Sequence, residues 1–122
     1  MTTPTKVPRV LVVDTDTGVS GALSRVLEEL HITIYTTASA ESARISLRTF
    51  AIDLLVVFLR FGFEQQGSDL IRDTIGQVPV IACGPEGYIP EGVTVNADYP
   101  ISTSQLTKMI QAEIAKVKTS IS

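Results

Sequence analysis

The sequence predicts an α/β domain in which helices cover both faces of a parallel sheet of five strands. Short apolar runs rich in β-branched residues alternate along the chain with segments whose apolar residues recur every three or four positions. Apart from Arg9, the runs at 9–13 and 54–59 are continuously apolar, which is typical of strands buried on both faces of a parallel sheet. Strands that alternate with helices imply right-handed crossovers, and therefore a doubly wound sheet.

Each element has its own signal in the sequence. The predicted strands are 9–13, 32–36, 54–59 and 79–83, and the register of a fifth strand within 93–101 stays open. The first helix is predicted after Thr17, which we expect to be the N-cap. A second helix is predicted after Ser39. A third helix is predicted over about 67–75, and the last begins near Ser102 or Thr103.

The fourth crossover departs from this alternation. Residues 84–92 contain two prolines and three glycines, which a normal helix does not tolerate. We therefore expect the fourth crossover helix to be missing, or reduced to a loop of at most one turn.

Composition restricts the class of protein. A chain of 122 residues with 44% hydrophobic and 19% charged residues fits one globular domain, predicted at 9–118 between short tails at 1–8 and 119–122. The net charge is −3 and the ten Lys and Arg residues are scattered, so we expect no nucleic-acid partner. No apolar run approaches a membrane helix, and the first six residues lack the apolar stretch of a signal peptide. A single cysteine, Cys83, suits a cytoplasmic location.

Four fragments, in their order and spacing, resemble the receiver domain of bacterial response regulators from about Arg9 to Lys118. These fragments are Leu11-Val12-Val13-Asp14, Asp53-Leu54-Leu55-Val56-Val57, Pro79-Val80-Ile81 and Ala97-Asp98-Tyr99. The resemblance implies the flavodoxin-like receiver fold and a role in two-component signal transduction. It also implies five side chains at the strand ends: two adjacent acids, a phosphoacceptor aspartate that helps to hold Mg²⁺, a Thr or Ser, and a Lys.

This chain departs from that pattern at most of the five positions. Asp14 matches the first acid, but Thr15 stands at the second, Phe58 at the phosphoacceptor and Gly84 at the Thr/Ser position. Ser102 or Thr103 is expected at the Lys position. A phenyl ring offers no oxygen to phosphorus, and Mg²⁺ requires oxygen ligands. We therefore expect no metal, no cofactor and no catalysis, and we predict a pseudo-receiver that works as a phosphorylation-independent protein-interaction module. Its partner would be another signalling or regulatory protein, or further domains of a longer chain.

An enzymatic alternative stays open. Asp16 could replace the acid that is missing at Thr15, or it could only complement the helix dipole. Asp14-Thr15-Asp16 also resembles the nucleophile motif of haloacid-dehalogenase phosphatases. Such enzymes need a lysine, and none occurs between Lys6 and Lys108. The alternative is thus a Mg²⁺-dependent phosphoryl-transfer domain that uses Asp14 and Asp16.

Aromatic residues near the third strand are candidates for partner binding. Phe61 and Phe63 follow Phe58 closely, with Arg60 among them. Phe58 could fill the vacated pocket while the other two cover the core, or Phe61 or Phe63 could stay exposed as an anchor, since aromatic residues and arginine are enriched in binding hot spots. Two residues of the irregular fourth crossover are similar candidates, Tyr88 and Ile89.

Overall fold

The computed structural model describes residues 7–97 and 101–121, with only the backbone described for 17–20 and 117–121. It contains five strands in one parallel sheet, in the order β2-β1-β3-β4-β5, and so confirms the predicted doubly wound fold. The strands are β1 Arg9–Val13, β2 Thr33–Thr37, β3 Leu54–Phe58, β4 Val80–Cys83 and β5 Val95–Ala97. The helices are α1 Thr17–Glu29, α2 Ala40–Thr49, α3 Glu64–Thr74 and α4 Thr103–Ile121.

Two hydrophobic cores lie on the two faces of the sheet. Successive side chains of a strand point to opposite faces, so β1 and β3 contribute alternate residues to each core. One core packs against α1 and α4 and includes Val12, Val56 and Phe58. The other packs against α2 and α3 and includes Val13 and Val57. Because β1, β3 and β4 are covered on both faces, their sequences are continuously apolar apart from Arg9 at the start of β1.

Side-chain caps begin two of the helices. The hydroxyl of Ser39 accepts a hydrogen bond of 3.1 Å from the N–H of Ser42 and caps α2 as predicted. Ser102 caps α4 in the same way, accepting from the N–H of Gln105 at 3.1 Å. The prediction for α1 was wrong by one residue, because Thr17 is the first helical residue and Asp16 precedes the helix.

Helix α3 begins at Glu64, three residues before the predicted start. Gly67 was predicted as the start of the helix, but it lies inside the first turns of α3 for a packing reason. A Cβ atom at Gly67 would lie 2.4 Å from Cδ2 of Leu59 and 3.1 Å from the ring of Phe63. The glycine therefore allows the first turn of α3 to approach the loop that follows β3.

The fourth crossover has no α-helix. A single 3₁₀ turn at Glu86–Tyr88 stands in its place, in agreement with the prediction. The register of β5 pairs Val95 with Ile81 and Ala97 with Cys83. Residues 98–100, which include part of the predicted approach to the lysine position, lie outside the described residues.

Helix α4 continues to Ile121, past the predicted domain end at 118. No helix in the described part of the chain has both the length and the apolar character needed to cross a membrane.

Candidate functional site

The candidate site lies where β1, β3 and β4 end, on one edge of the sheet. The register aligns Val13 with Val57, and Phe58 with Cys83, so the residues that follow these strands are neighbours. Backbone hydrogen bonds extend beyond the strands, from the N–H of Leu59 to the oxygen of Cys83 at 2.8 Å and from the N–H of Gly84 to the oxygen of Ala97 at 3.2 Å. The backbone at this edge is therefore held in place by the sheet.

Asp14 is held by Arg60. The Nε of Arg60 donates a hydrogen bond to Oδ1 of Asp14, and its Nη2 donates to Oδ2 at 3.0 Å. The side chain of Asp14 is only 1% exposed and that of Arg60 only 18% exposed. The N–H of Asp16 also donates to Oδ1 of Asp14, at 3.0 Å. The buried carboxylate thus has a matched countercharge and hydrogen bonds to both oxygens, as burial of a charge requires.

Phe58 lies under the same guanidinium. Its side chain is fully buried, and the Cζ of Arg60 lies 5.5 Å from the centre of its ring, within the range of a cation–π interaction. Asp16 is more peripheral, because its side chain is 61% exposed and its Oδ2 lies 4.0 Å from Nη1 of Arg60. The guanidinium of Arg60 is therefore surrounded by the phenyl ring and two carboxylates.

Gly84 leaves no space for a side chain. A Cβ atom there would lie 2.7 Å from the Cβ of Leu59 and 3.1 Å from its carbonyl oxygen. A threonine or serine at this position would collide with the backbone of the loop after β3. The space that the resemblance assigns to a hydroxyl is occupied by Leu59.

Cys83 lies directly beside Phe58 in the sheet and is fully buried. Burial, and to a lesser extent the negative charge of Asp14, raise the pKa of its thiol from 9.0 to about 12, while the positive charge of Arg60 opposes the shift. The thiol stays protonated at neutral pH and is a poor nucleophile.

An open cleft of about 490 Å³ lies next to this cluster. We call it the docking cleft; it is lined by 59–61, Glu64 and 84–86. Phe61 stands at its edge with 99% of its side chain exposed, whereas Phe63 is 3% exposed and packs in the core beside α3. Of the two phenylalanines predicted as possible anchors, the structure exposes Phe61 and buries Phe63.

The remaining predicted site residues are scattered. Thr15 is exposed, and the hydroxyl of Ser102 is used to cap α4. Tyr88 is 44% exposed, whereas Ile89 is half-buried against the second core. No group of three or more potential metal-ligating side chains occurs among the residues that the structure describes.

Sequence reasoning missed the pairing of Arg60 with Asp14. Arg60 was considered only as a candidate for partner binding, yet its guanidinium is the central group of the site. Its position two residues after β3, facing the acid that follows β1, was the available signal. The carboxylates of Glu64 and Glu86 at the cleft were also missed, because no motif connects them.

Known proteins resemble this chain in structure but not detectably in sequence. No family model matches the sequence, and no curated protein matches it. The signal receiver domain of an HD domain-containing protein from Pseudomonas fluorescens is 17% identical, with a TM-score of 0.82 over 98% of this chain and 96% of that chain. A response regulator receiver domain from Methanospirillum hungatei is 14% identical, with a TM-score of 0.82 over 94% of this chain and 99% of that chain.

A chain of the adenylate cyclase from Rhodopirellula baltica also matches, at 17% identity and a TM-score of 0.77, over 95% of this chain and 93% of that chain. At these identities the likeness concerns the fold. The chain has the fold of response-regulator receiver domains.

Proposed function

We propose that this domain is a pseudo-receiver, a signalling module that binds another protein without being phosphorylated. It takes no Mg²⁺ and no other cofactor, and it catalyses no reaction. The observation that carries the proposal is the cluster in which Arg60 holds Asp14 above the buried ring of Phe58.

The guanidinium of Arg60 supplies the positive charge that a bound metal would otherwise supply to Asp14. Because Nε and Nη2 together occupy both oxygens of that carboxylate, a Mg²⁺ ion would have to displace two charge-assisted hydrogen bonds. The ion would also lie near the cationic guanidinium and the apolar face of Phe58. Mg²⁺ prefers a nearly octahedral shell of oxygens, which this arrangement does not offer.

The geometry equally disfavours phosphoryl transfer through Asp14 and Asp16. Asp14 is only 1% exposed and already bonded on both oxygens, so it cannot act as a nucleophile without releasing Arg60. The position that the resemblance assigns to a hydroxyl is Gly84, where a side chain would meet Leu59. A module whose pocket is closed in this way keeps one conformation, and a constant surface is suited to constitutive binding of a partner in the cytoplasm.

Incubation with acetyl phosphate and Mg²⁺ tests the proposal. Intact-mass spectrometry is expected to find the protein unmodified, while an orthodox receiver domain treated in parallel gains one phosphoryl group. A Mg²⁺-dependent adduct that maps to Asp14 or Asp16 would overturn the proposal in favour of a phosphoryl-transfer domain.

A further inference from the structure

We propose that the docking cleft binds an arginine or lysine side chain that a partner protein presents beside an apolar residue. The inference rests on the proposed function and names both the surface and the chemistry of its partner. Three properties of the cleft carry it: an exposed aromatic ring on a fixed turn, an excess of negative charge, and the apolar surface of Pro85.

The exposed ring of Phe61 is held on a well-defined turn. The N–H of Phe63 donates to the oxygen of Arg60 at 2.9 Å, and Gly62 has a φ of +86°, as the third residue of a type II turn requires. The N–H of Gly62 also donates to Oε1 of Glu64 at 2.8 Å. One end of the turn is fixed by the bond of Arg60 to Asp14, and the other by burial of Phe63.

The fixed backbone of this turn lowers the entropic cost of binding. A partner has to order only the two side-chain torsions of Phe61, whereas a mobile loop would lose backbone freedom as well. Exposure of 99% also means that Phe61 contributes almost nothing to the core, so its apolar surface is available to a partner.

The negative charge around the cleft favours a partner with a positively charged group. Glu64 and Glu86 line the cleft, and Asp14 and Asp16 lie behind it at Arg60. Four carboxylates and one guanidinium thus lie in or beside the cleft, which gives it an excess of negative charge. Arg60 does not offset the two glutamates, because its charge is matched by Asp14 and Asp16. Nucleic acids and anionic lipid surfaces would be repelled here.

A basic side chain can contact the aromatic ring, the carboxylates and the apolar surface of the cleft at the same time. Its cationic head can bond to the carboxylates of Glu64 and Glu86 while stacking on the face of Phe61. Its aliphatic stem, with the neighbouring apolar residue, can cover the exposed ring of Pro85. Guanidinium and ammonium groups are both attracted by aromatic rings, and arginine is frequent in binding hot spots.

Selection from a random dodecapeptide phage library on the immobilised domain tests the inference. We expect the enriched peptides to carry arginine or lysine beside an apolar residue, and synthetic copies to bind with an affinity that falls as salt increases. Phe61→Ser, and separately the pair Glu64→Gln and Glu86→Gln, should each weaken binding at least about fivefold. Glutamine can still accept from the N–H of Gly62, so the turn is retained.

Matched controls separate local recognition from general attraction. Glu28→Gln with Glu29→Gln removes the same charge from an exposed site on α1, and Ile45→Ser removes an exposed apolar side chain from α2. Neither control should change peptide affinity. If no peptide is enriched, if enriched peptides are acidic or uncharged, or if binding survives Phe61→Ser, the inference is wrong. These outcomes leave the acetyl phosphate result unchanged, so a failure of the inference is distinguishable from a failure of the proposed function.

Discussion

Arg60 and Asp14 form a two-point hydrogen-bonded ion pair across 46 positions of sequence, and this pair joins the loop after β1 to the loop after β3. Asp14 is fully buried, so its charge depends on this one cationic partner. The guanidinium of this pair packs on the buried ring of Phe58 at the C-terminal end of β3. The stability of this edge therefore depends on an internal cation.

Replacement of Arg60 should be costly. We expect Arg60→Met to lower the free energy of unfolding by about 3 kcal/mol, because it leaves the carboxylate of Asp14 buried without a countercharge. Urea denaturation measures the loss. Arg72→Met is the control, since Arg72 pairs with Asp69 at 3.1 Å on an exposed helix face and should cost less than about 1 kcal/mol. Equal losses in the two variants would show that the Arg60–Asp14 pair does not hold the edge.

An aspartate in place of Phe58 should destabilise the fold. The ring is 1% exposed, so Phe58→Asp would put a carboxylate into the core beside Cys83 and is expected to cost about 3 kcal/mol or more. Phe58→Leu keeps the site apolar and should cost about 1 kcal/mol, which isolates the contribution of the charge. If Phe58→Asp is as stable as the parent in thermal or urea unfolding, the ring is not an essential part of this core.

A methyl group at Gly84 should be enough to disturb the site. We expect Gly84→Ala to cost about 2 kcal/mol, because its Cβ would lie 2.7 Å from the Cβ of Leu59. Gly87→Ala, three residues further along the same crossover, meets no atom within 4 Å and should change stability by less than about 0.5 kcal/mol. Differential scanning calorimetry compares the two variants, and a tolerated Gly84→Ala would mean that Leu59 can move aside.

Burial of Cys83 predicts a loss of stability in alkaline solution. The pKa of its thiol is about 12 in the folded protein and 9.0, the ordinary value, in the unfolded chain. Between pH 9 and pH 12 the unfolded chain therefore binds fewer protons than the folded protein. Rising pH therefore favours unfolding, and stability due to this group is fully present only below pH 9. The difference in unfolding free energy between the parent and Cys83→Ala should fall by about 1.4 kcal/mol per pH unit above that point. A difference that stays constant from neutral to alkaline pH would contradict this account of the thiol.

The fold was predictable because its signals are local. Continuous apolar runs identify β1, β3 and β4, and the two prolines and three glycines of 84–92 exclude a helix there. The start of α3 was missed because helix propensity disfavours Gly67, whereas its close approach to the side chain of Leu59 requires a glycine there. Propensity describes a residue alone, whereas this glycine is explained only by its tertiary neighbours.

The site was predictable in position but not in chemistry. The residues after β1, β3 and β4 were expected to meet, and the register places Asp14, Phe58 and Gly84 at one edge. The spacing placed Arg60 near Asp14, but the bond between them also depends on how the loop after β3 turns back. Exposure of Phe61 and burial of Phe63 likewise follow from that turn.

Titration with Mg²⁺ and beryllofluoride, followed by amide NMR spectra, tests the central claim most directly. The cluster of Arg60, Asp14 and Phe58 predicts that the amide signals of Asp14, Asp16 and Gly84 stay in place, while an orthodox receiver domain shows saturable shifts at its phosphorylation pocket. Saturable shifts clustered at these three residues would contradict the account, because they would require Arg60 to release Asp14 to a metal ion.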